Sequence, residues 1–217
     1  MQKEDLNKIG IHSSWHSSLM PFFTDKRMAE LLQLYNSVNS FPSRMEVFRA
    51  FSMPKENVKV VLIGMDPYPT KGDANGWAFS VNTGRPIPLS LRVLKREIFN
   101  DYKVPPETQF DTTLSHWIKQ GVLLLNTALS VEEGKPKSHT KAWRFFIEGV
   151  VAIISMDLNP TWLLIGNEAK SLKNKIKFSD KIEYKIVERY HPAAERYGMK
   201  FEGFVEEIYN FEKINWI

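Results

Sequence analysis

The sequence predicts an α/β protein: a three-layer α/β/α fold with a central, mostly parallel four-stranded sheet. Two observations predict it. Four short runs are continuously apolar, as strands are when helices cover both faces of a parallel sheet. Helical patterns lie between and around these runs. The sequence contains no internal repeat, low-complexity tract or Gly/Ser linker, so residues 1–217 are predicted to form one domain.

The predicted strands are too short for ordinary amphipathic helices and too continuous for strands with one solvated face. In chain order they cover Val58–Gly64, Gly121–Asn126, Thr161–Gly166 and Tyr184–Val187.

The predicted helices repeat apolar residues at spacings of three and four, which places those residues on one face. Ser90 is predicted to cap the N-terminus of the second long helix. The long helices are predicted at Asp25–Val38, Leu89–Tyr102 and Lys141–Met156, and shorter ones at Thr112–Lys119, Glu168–Lys175 and Gly203–Ile214.

Composition excludes several classes of chemistry. The chain is 43% hydrophobic and 25% charged, which is typical of a folded globular protein. The absence of Cys excludes disulfide scaffolds, Cys nucleophiles, thiolate zinc sites and iron–sulfur clusters. The net charge of +4 permits nucleic-acid binding without requiring it. No apolar run reaches the ~20 residues of a membrane span, and no signal peptide follows the charged first residues. We therefore expect an intracellular protein, cytoplasmic if bacterial or viral, with a nuclear location left open.

Polar side chains follow the predicted strands where each one ends. Asp66 follows the first strand, Asn126 ends the second, Asn167 follows the third and His191 comes shortly after the fourth. Ligands bind outside the carboxyl ends of strands in open α/β sheets. Asn and Asp also make ordinary turns, but four such strand ends together favour a site.

Common motifs for cofactor binding and catalysis are missing. The chain has no GxGxxG after a strand, no GxxxxGK[ST] and no GxSxG. His12 and His16 form an HxxxH without the glutamate of a zinc protease, so a surface or capping role is expected for them.

The segment Gly64–Ser80 is the most informative part of the chain. Pro67 restricts Asp66 to extended geometry and so holds a carboxylate still at the strand end. Glycines 72 and 76 allow the chain to fold back tightly, and Phe79 returns an aromatic ring towards that carboxylate. A rigid acid beside an aromatic platform suits recognition of a flat heterocycle.

The motifs of this chain resemble, in order, those of the family 1 uracil-DNA glycosylases. The family patterns are GQDPYH…G..FS, LLLN…LTV, SH…W, GS.A and HPSPLS. The segments similar to them are, respectively, Gly64–Ser80, Leu123–Val131, Ser138-His139 with Trp143, Gly166–Ala169 and His191–Arg196. The resemblance covers almost the whole chain, and the ordered set is specific.

Four positions depart from the family pattern. Met65 replaces the usual Gln, Pro69 the usual His and Asn167 the usual Ser. The family's intercalating Leu falls on Glu195. Poxviral members of the family resemble this variant, with DPYP and HPAA loops.

The resemblance implies an enzyme that flips uracil out of DNA and hydrolyses its N-glycosidic bond, leaving an abasic site. Asp66 would provide negative charge near the oxocarbenium-like sugar and position or activate the attacking water. His191 would donate a hydrogen bond to uracil O2, for which a neutral imidazole suffices.

The same resemblance implies a uracil pocket. Asn126 would read O4 and N3–H, Phe79 would stack on the base, and Tyr68 would exclude thymine by occupying the space beside C5. Met65 would act through its backbone amide. From the residues alone, Phe79 and Tyr68 could instead be packing residues, and His191 could instead cap a turn.

DNA contacts are expected from loops at the same edge of the sheet. Glu195 would be a poor wedge among phosphates, so Arg196 or Tyr197 is predicted to fill the gap left by the base. The predicted DNA-binding residues are Pro86, Pro88, Ser90, Gly166, Asn167, Ala193, Glu195 and Arg196.

The partners implied are single- or double-stranded DNA, with no membrane, metal or cofactor. A monomer is expected, with a replication protein or an inhibitor protein as a further partner. Three alternatives stay open: a glycosylase for a 5-modified uracil, a DNA-binding processivity component whose catalysis is secondary, and an unrelated domain that binds a small anion.

Overall fold

A computed structural model confirms the predicted fold class; it describes residues 3–177, 185–202 and 213–217. The strands are β1 (Ser40–Phe41), β2 (Val60–Gly64), β3 (Val122–Asn126), β4 (Val131–Glu132), β5 (Thr161–Ile165) and β6 (Ile186–Arg189). The helices are α1 (Lys3–Lys8), α2 (His16–Phe23), α3 (Lys26–Ser37), α4 (Leu89–Tyr102), α5 (Ser115–Lys119), α6 (Thr140–Asp157) and α7 (Asn167–Lys170). Short 3-10 helices cover Ser13–Trp15, Arg49–Ser52, Lys55–Asn57, Lys173–Lys175 and Pro192–Tyr197.

The central sheet has the order β3-β2-β5-β6, and every neighbouring pair is parallel. All residues of β2, β3 and β5 are buried, which explains why these strands are continuously apolar. Since the strands are parallel, their carboxyl ends meet at one edge of the sheet, where Gly64 pairs in register with Asn126.

Each face of the sheet has its own hydrophobic core. On β2, Val61 and Ile63 face a core that includes α6 and the N-terminal helices, whereas Val60 and Leu62 face a core that includes α4. The chain near its C-terminal end, represented by Trp216, packs into the second core. The two cores make the sheet the rigid middle layer on which the site is built.

The bounds of the three long helices agree with prediction to within one residue, whereas a predicted cap and a shorter helix differ. The prediction of Ser90 as an N-cap is wrong: Pro88 precedes α4 with an extended backbone, and Ser90 is buried inside the first turn. α5 begins only at Ser115, because the Asp111 carboxylate accepts backbone N–H groups from Thr113 and Ser115 and holds a turn there.

Two other predicted elements differ in position. The segment predicted as one helix from residue 168 to 175 divides into α7 and a 3-10 turn. The fourth strand, predicted at Tyr184–Val187, is observed at Ile186–Arg189; Lys185 is not part of it, and Tyr184 lies outside the described residues. The predicted helix Gly203–Ile214 falls mostly on residues 203–212, also outside them, and residues 213 and 214 are not helical. The antiparallel pair β1–β4 was not predicted.

Membrane spans and metal clusters are both absent from the described ranges. No helix there is long and apolar enough to cross a membrane. No group of three or more His, Cys, Asp or Glu residues there could hold a metal ion.

Candidate active site

Asp66 lies just beyond the carboxyl end of β2. Its Oδ2 accepts a hydrogen bond of 2.6 Å from the backbone N–H of Lys137, which belongs to the loop between β4 and α6. Lys137 reaches this position with a left-handed backbone, at φ 67°. Its ammonium group bonds Glu168 on α7 at 2.8 Å. Lys137 therefore links Asp66, just beyond β2, to α7, the helix that follows β5.

Burial determines the acidity of Asp66. Loss of solvent around the carboxyl raises its pKa above the ordinary value, and the hydrogen bond and positive charge of Lys137 oppose that rise. A carboxylate held in a poorly solvated site interacts strongly with any positive charge that develops beside it.

Asp66, Asn126 and His191 line one cavity of about 240 Å³. The three residues are far apart in the chain and meet because β2, β3 and β6 end at the same edge of the sheet. Of the predicted site residues, the cavity also contains Met65, Tyr68, Phe79, Pro88, Ser90, Ala193 and Arg196. The sheet therefore brings a carboxylate, an amide and an imidazole around a single small space.

The aromatic wall of the cavity is tightly fixed. Phe79 has a left-handed backbone at φ 62°, and its ring lies 5.7 Å from the His191 ring at an interplanar angle of 29°. The Tyr68 hydroxyl donates a hydrogen bond of 2.9 Å to the Phe79 carbonyl and lies 3.1 Å from the Ser90 hydroxyl. Burial raises the pKa of Tyr68, which keeps its hydroxyl neutral.

Gly64 makes room for this wall. A Cβ at position 64 would lie 2.7 Å from Asn126 Oδ1 and 2.9 Å from Phe79 Cε2, closer than real Cβ contacts come. Only glycine lets the two groups approach the strand end as they do. The glycine is thus part of the site, although it carries no functional group.

His191 is held in a defined protonation state. It is the N-cap of the 3-10 turn Pro192–Tyr197, and its Nδ1 accepts the backbone N–H of Ala193 at 3.2 Å. The proton of the neutral ring is therefore assigned to Nε2. Burial lowers the pKa of His191 to about 4, and the nearby positive charges of Lys137 and Arg196 contribute. At neutral pH this side chain is an uncharged hydrogen-bond donor.

A second, more open groove of about 420 Å³ adjoins the cavity and shares Met65, His191 and Arg196 with it. Gly166 and Asn167 line this groove, as does Tyr197, which is 71% exposed. The predicted residues Pro86 and Glu195 line neither space. The other predicted DNA-contacting residues therefore lie around two connected openings on one edge of the sheet.

Sequence reasoning missed several residues of the site. Trp77 lines the cavity, and the Arg49 guanidinium lies over its ring, 3.9 Å from the ring centroid. Trp77 belongs to the segment Gly64–Ser80, but no site role was predicted for it. Pro136 and Lys137 immediately precede the Ser138-His139 motif, but no pattern shows that the backbone N–H of Lys137 reaches Asp66. The cavity is also lined by Pro67 and Pro69, which were named in the sequence but not predicted to line a pocket, and by Ala74, Ser80 and Leu89, for which no site role was predicted.

The fold and the site together define a class of protein: an α/β domain with a polar, aromatic-walled ligand pocket at the carboxyl ends of its strands. The family model of the uracil DNA glycosylase superfamily matches residues 51–211. The chain belongs to this superfamily.

Curated relatives agree with the family match. The chain is 40% identical over 195 residues to the uracil-DNA glycosylase of Borreliella burgdorferi strain ZS7, covering 86% of this chain and 85% of the relative. It is 33% identical over 233 residues to that of Acinetobacter baylyi, covering 99% and 96%.

Solved structures share the fold. The mimivirus uracil-DNA glycosylase superposes with a TM-score of 0.75 at 21% identity, covering 86% of this chain and 71% of that one. The Nitratifractor salsuginis UNG gives a TM-score of 0.65 at 22% identity, covering 88% and 87%.

Proposed function

We propose that this chain excises uracil from DNA by hydrolysing the N-glycosidic bond of an extruded deoxyuridine. The observation that carries the proposal is the meeting of Asp66, Asn126 and His191 in one cavity of about 240 Å³. Membership of the uracil DNA glycosylase superfamily and the curated relatives support the same reaction.

Bond cleavage creates positive charge on the sugar and negative charge on the leaving base. We assign the stabilisation of the sugar, and the orientation of the attacking water, to Asp66. The Lys137 N–H holds one carboxylate oxygen, so the other is available to the substrate side. We assign the stabilisation of the uracil anion to His191, whose Nε2–H would donate to O2 without a proton transfer.

Base selection is assigned to the pocket walls. The Asn126 side chain offers one donor and one acceptor, which match O4 and N3–H of uracil and oppose the pattern of cytosine. A buried amide left without its partners rejects the wrong base strongly. Phe79 would stack on the ring, and Tyr68, fixed by its two hydroxyl contacts, would occupy the space that a 5-methyl group needs.

The adjoining groove is the proposed path of the DNA strand on either side of the extruded nucleotide. The backbone N–H of Asn167 and the cation of Arg196 suit contacts to phosphate. The Gly166 N–H is already engaged, since it donates to the Arg189 carbonyl at 3.0 Å. Tyr197, exposed at this groove, and Arg196 remain the proposed residues for the space that the base vacates. We propose a monomer as the acting form, with an inhibitor protein as a partner; a related mimivirus UNG variant has been solved in complex with UGI.

An excision assay tests the proposed function. A single-stranded oligonucleotide with one internal uracil is incubated with the protein and then heated in alkali, which cleaves abasic sites. We expect a single cut at the uracil position and none in the matched thymine oligonucleotide. An intact uracil strand would contradict the proposal.

A further inference from the structure

The side chain of Glu195 is engaged outside the cavity. Its carboxylate contacts the guanidinium of Arg96 on α4 through both oxygens, with Nη1 donating to Oε2 at 3.0 Å and Nη2 to Oε1. Glu195 belongs to the 3-10 turn Pro192–Tyr197, 99 positions away in the chain. The contact therefore connects the turn that follows His191 to a long helix of the fold.

Arg96 is fixed on its other side as well. Its Nε and Nη2 donate to Oε1 of the neighbouring Glu97 at 2.9 and 2.7 Å, and Glu97 is buried. A planar guanidinium shared by two carboxylates has little freedom to reorient. Arg96 thus presents a rigid docking point to Glu195.

The turn joined to α4 is the same turn that His191 caps. His191 Nδ1 accepts the Ala193 N–H, and the His191 carbonyl accepts the Ala194 N–H at 2.8 Å. Gly198 closes the turn by donating to the Glu195 carbonyl at 2.9 Å. Glu195 therefore belongs to the short, hydrogen-bonded turn that begins at His191, whose imidazole faces the cavity.

We propose that Glu195 and Arg96 are positioning residues that clamp the turn Pro192–Tyr197 to α4 and thereby hold His191 towards the base. This inference rests on the proposed function, because it assigns the clamp a role in the same reaction. In this arrangement Glu195 does not enter the duplex. Insertion would require the carboxylate to leave Arg96 and approach the DNA phosphates, which carry the same charge.

The test measures kcat and KM for uracil release on a single-stranded and a duplex oligonucleotide of the same sequence. If His191 is misplaced, the hydrogen bond that stabilises the leaving base is weakened, and the chemical step slows on every substrate. If Glu195 instead inserted into the duplex, its loss would slow excision from duplex DNA only. We expect Glu195→Ala and Arg96→Met each to lower kcat about 10-fold on both substrates. KM should change little, and the double variant should be no slower than the slower single variant.

A matched control is available on α6. Arg144 and Glu148 form an ion pair of 2.7 Å, with side chains 57% and 23% exposed, against 50% and 26% for Arg96 and Glu195. Arg144→Met should leave kcat unchanged. Glu195→Gln keeps an oxygen acceptor for Arg96 and should retain more activity than Glu195→Ala.

Each other outcome overturns the clamp. Loss confined to duplex substrate would make Glu195 a wedge, and unchanged rates on both substrates would show that the contact positions nothing. An equal loss in Arg144→Met would show a general effect of removing surface charge. A wild-type protein that releases no uracil would reject the proposed function itself, and the clamp with it.

Discussion

Asp66 is a residue whose environment opposes the charge that its proposed role requires. Burial raises its pKa, so the folded protein binds a proton at this carboxyl more tightly than the unfolded chain does. Stability therefore falls as the pH rises through the folded-state pKa, because ionisation of the buried Asp66 carboxyl is unfavourable. The hydrogen bond from Lys137 reduces that cost without removing it. The site thus holds a negative charge that is unfavourable in the free protein at the place where the proposed reaction makes the sugar positive.

Replacing this carboxylate separates activity from stability. In Asp66→Asn the amide oxygen can still accept the Lys137 N–H, but the negative charge is lost. We expect the rate of uracil release to fall about 10²- to 10⁴-fold, with a thermal midpoint equal to or above that of the wild type. Single-turnover kinetics and thermal unfolding, both at neutral pH, measure the two effects. A variant of normal activity would remove Asp66 from the mechanism.

The protonation of His191 gives a pH prediction. Its folded-state pKa of about 4 lies below the ordinary value of 6.5, so the ring is neutral across the neutral range. Between these two values the unfolded chain binds a proton that the folded chain does not, and stability therefore falls as pH drops through this window.

For activity, the profile of kcat/KM against pH should show no step near the ordinary histidine value of 6.5. Its acid limb should instead reflect Asp66, because lowering the pH protonates the carboxylate that the proposed mechanism needs. His191→Gln, which retains an N–H donor, should keep that acid limb at a reduced rate. An inflection at the ordinary histidine value that disappears in His191→Gln would contradict a neutral imidazole.

Tyr68 is the residue proposed to distinguish uracil from 5-substituted bases. Tyr68→Ala should open space beside C5 and raise the ratio of thymine to uracil excision, although uracil excision itself should also decline. Tyr68→Phe retains the ring and should keep thymine excluded. Competition among uracil, thymine and 5-hydroxymethyluracil oligonucleotides measures the ratio. Preference of the wild type for the 5-modified base would favour the alternative substrate.

At the scale of elements, the end of β2 shows how packing defines the pocket. Gly64 pairs with Asn126 in the sheet and lies against Phe79, so that a methyl group at this position would displace both residues. We expect Gly64→Ala to lower kcat/KM for uracil at least about 10-fold, since the Asn126 amide proposed to read the base and the Phe79 ring proposed to stack on it would both move.

The matched control for Gly64→Ala is Gly134→Ala. A Cβ at position 134 would meet no atom within 4 Å, but the backbone there has a positive φ of 70°. A modest stability loss is therefore expected for this variant, without loss of base recognition. Steady-state kinetics on the uracil oligonucleotide compare the two. Equal kinetic effects would show that the strand end has no special role.

The sequence predicted elements best where burial is uniform. β2, β3 and β5 are apolar at nearly every position because both of their faces are covered. The bounds of α4 agree with those predicted from the spacing of its apolar residues. Prediction failed where a side chain redirects the backbone, as Asp111 does before α5. It also failed for β1 and β4, since two-residue strands carry too little pattern to recognise.

The site was predictable to the extent that its residues follow strands. Asp66, Asn126 and His191 were found from strand ends and motifs, and the cavity contains all three. The bond from Lys137 to Asp66 joins positions 71 apart through a backbone N–H, which side-chain identity does not encode. The engagement of Glu195 by Arg96 likewise depends on the tertiary placement of α4.

At the scale of the whole molecule, the fold concentrates its chemistry on one edge. The net charge of +4 is small for a protein that binds phosphates, and part of the positive charge is neutralised locally, as in the pairs of Lys137 with Glu168 and of Arg96 with Glu195. We therefore expect the shaped pocket and its loops to contribute more to recognition than a broad cationic surface does.

The most direct test of the shared pocket is a crystal structure of Asp66→Asn bound to an oligonucleotide with one deoxyuridine. We predict the uracil ring stacked on Phe79, with Asn126 at O4 and N3–H and His191 Nε2 within hydrogen-bond distance of O2. A uracil bound outside this cavity, or bound in it without contact to Asn126 and His191, would contradict the proposed site.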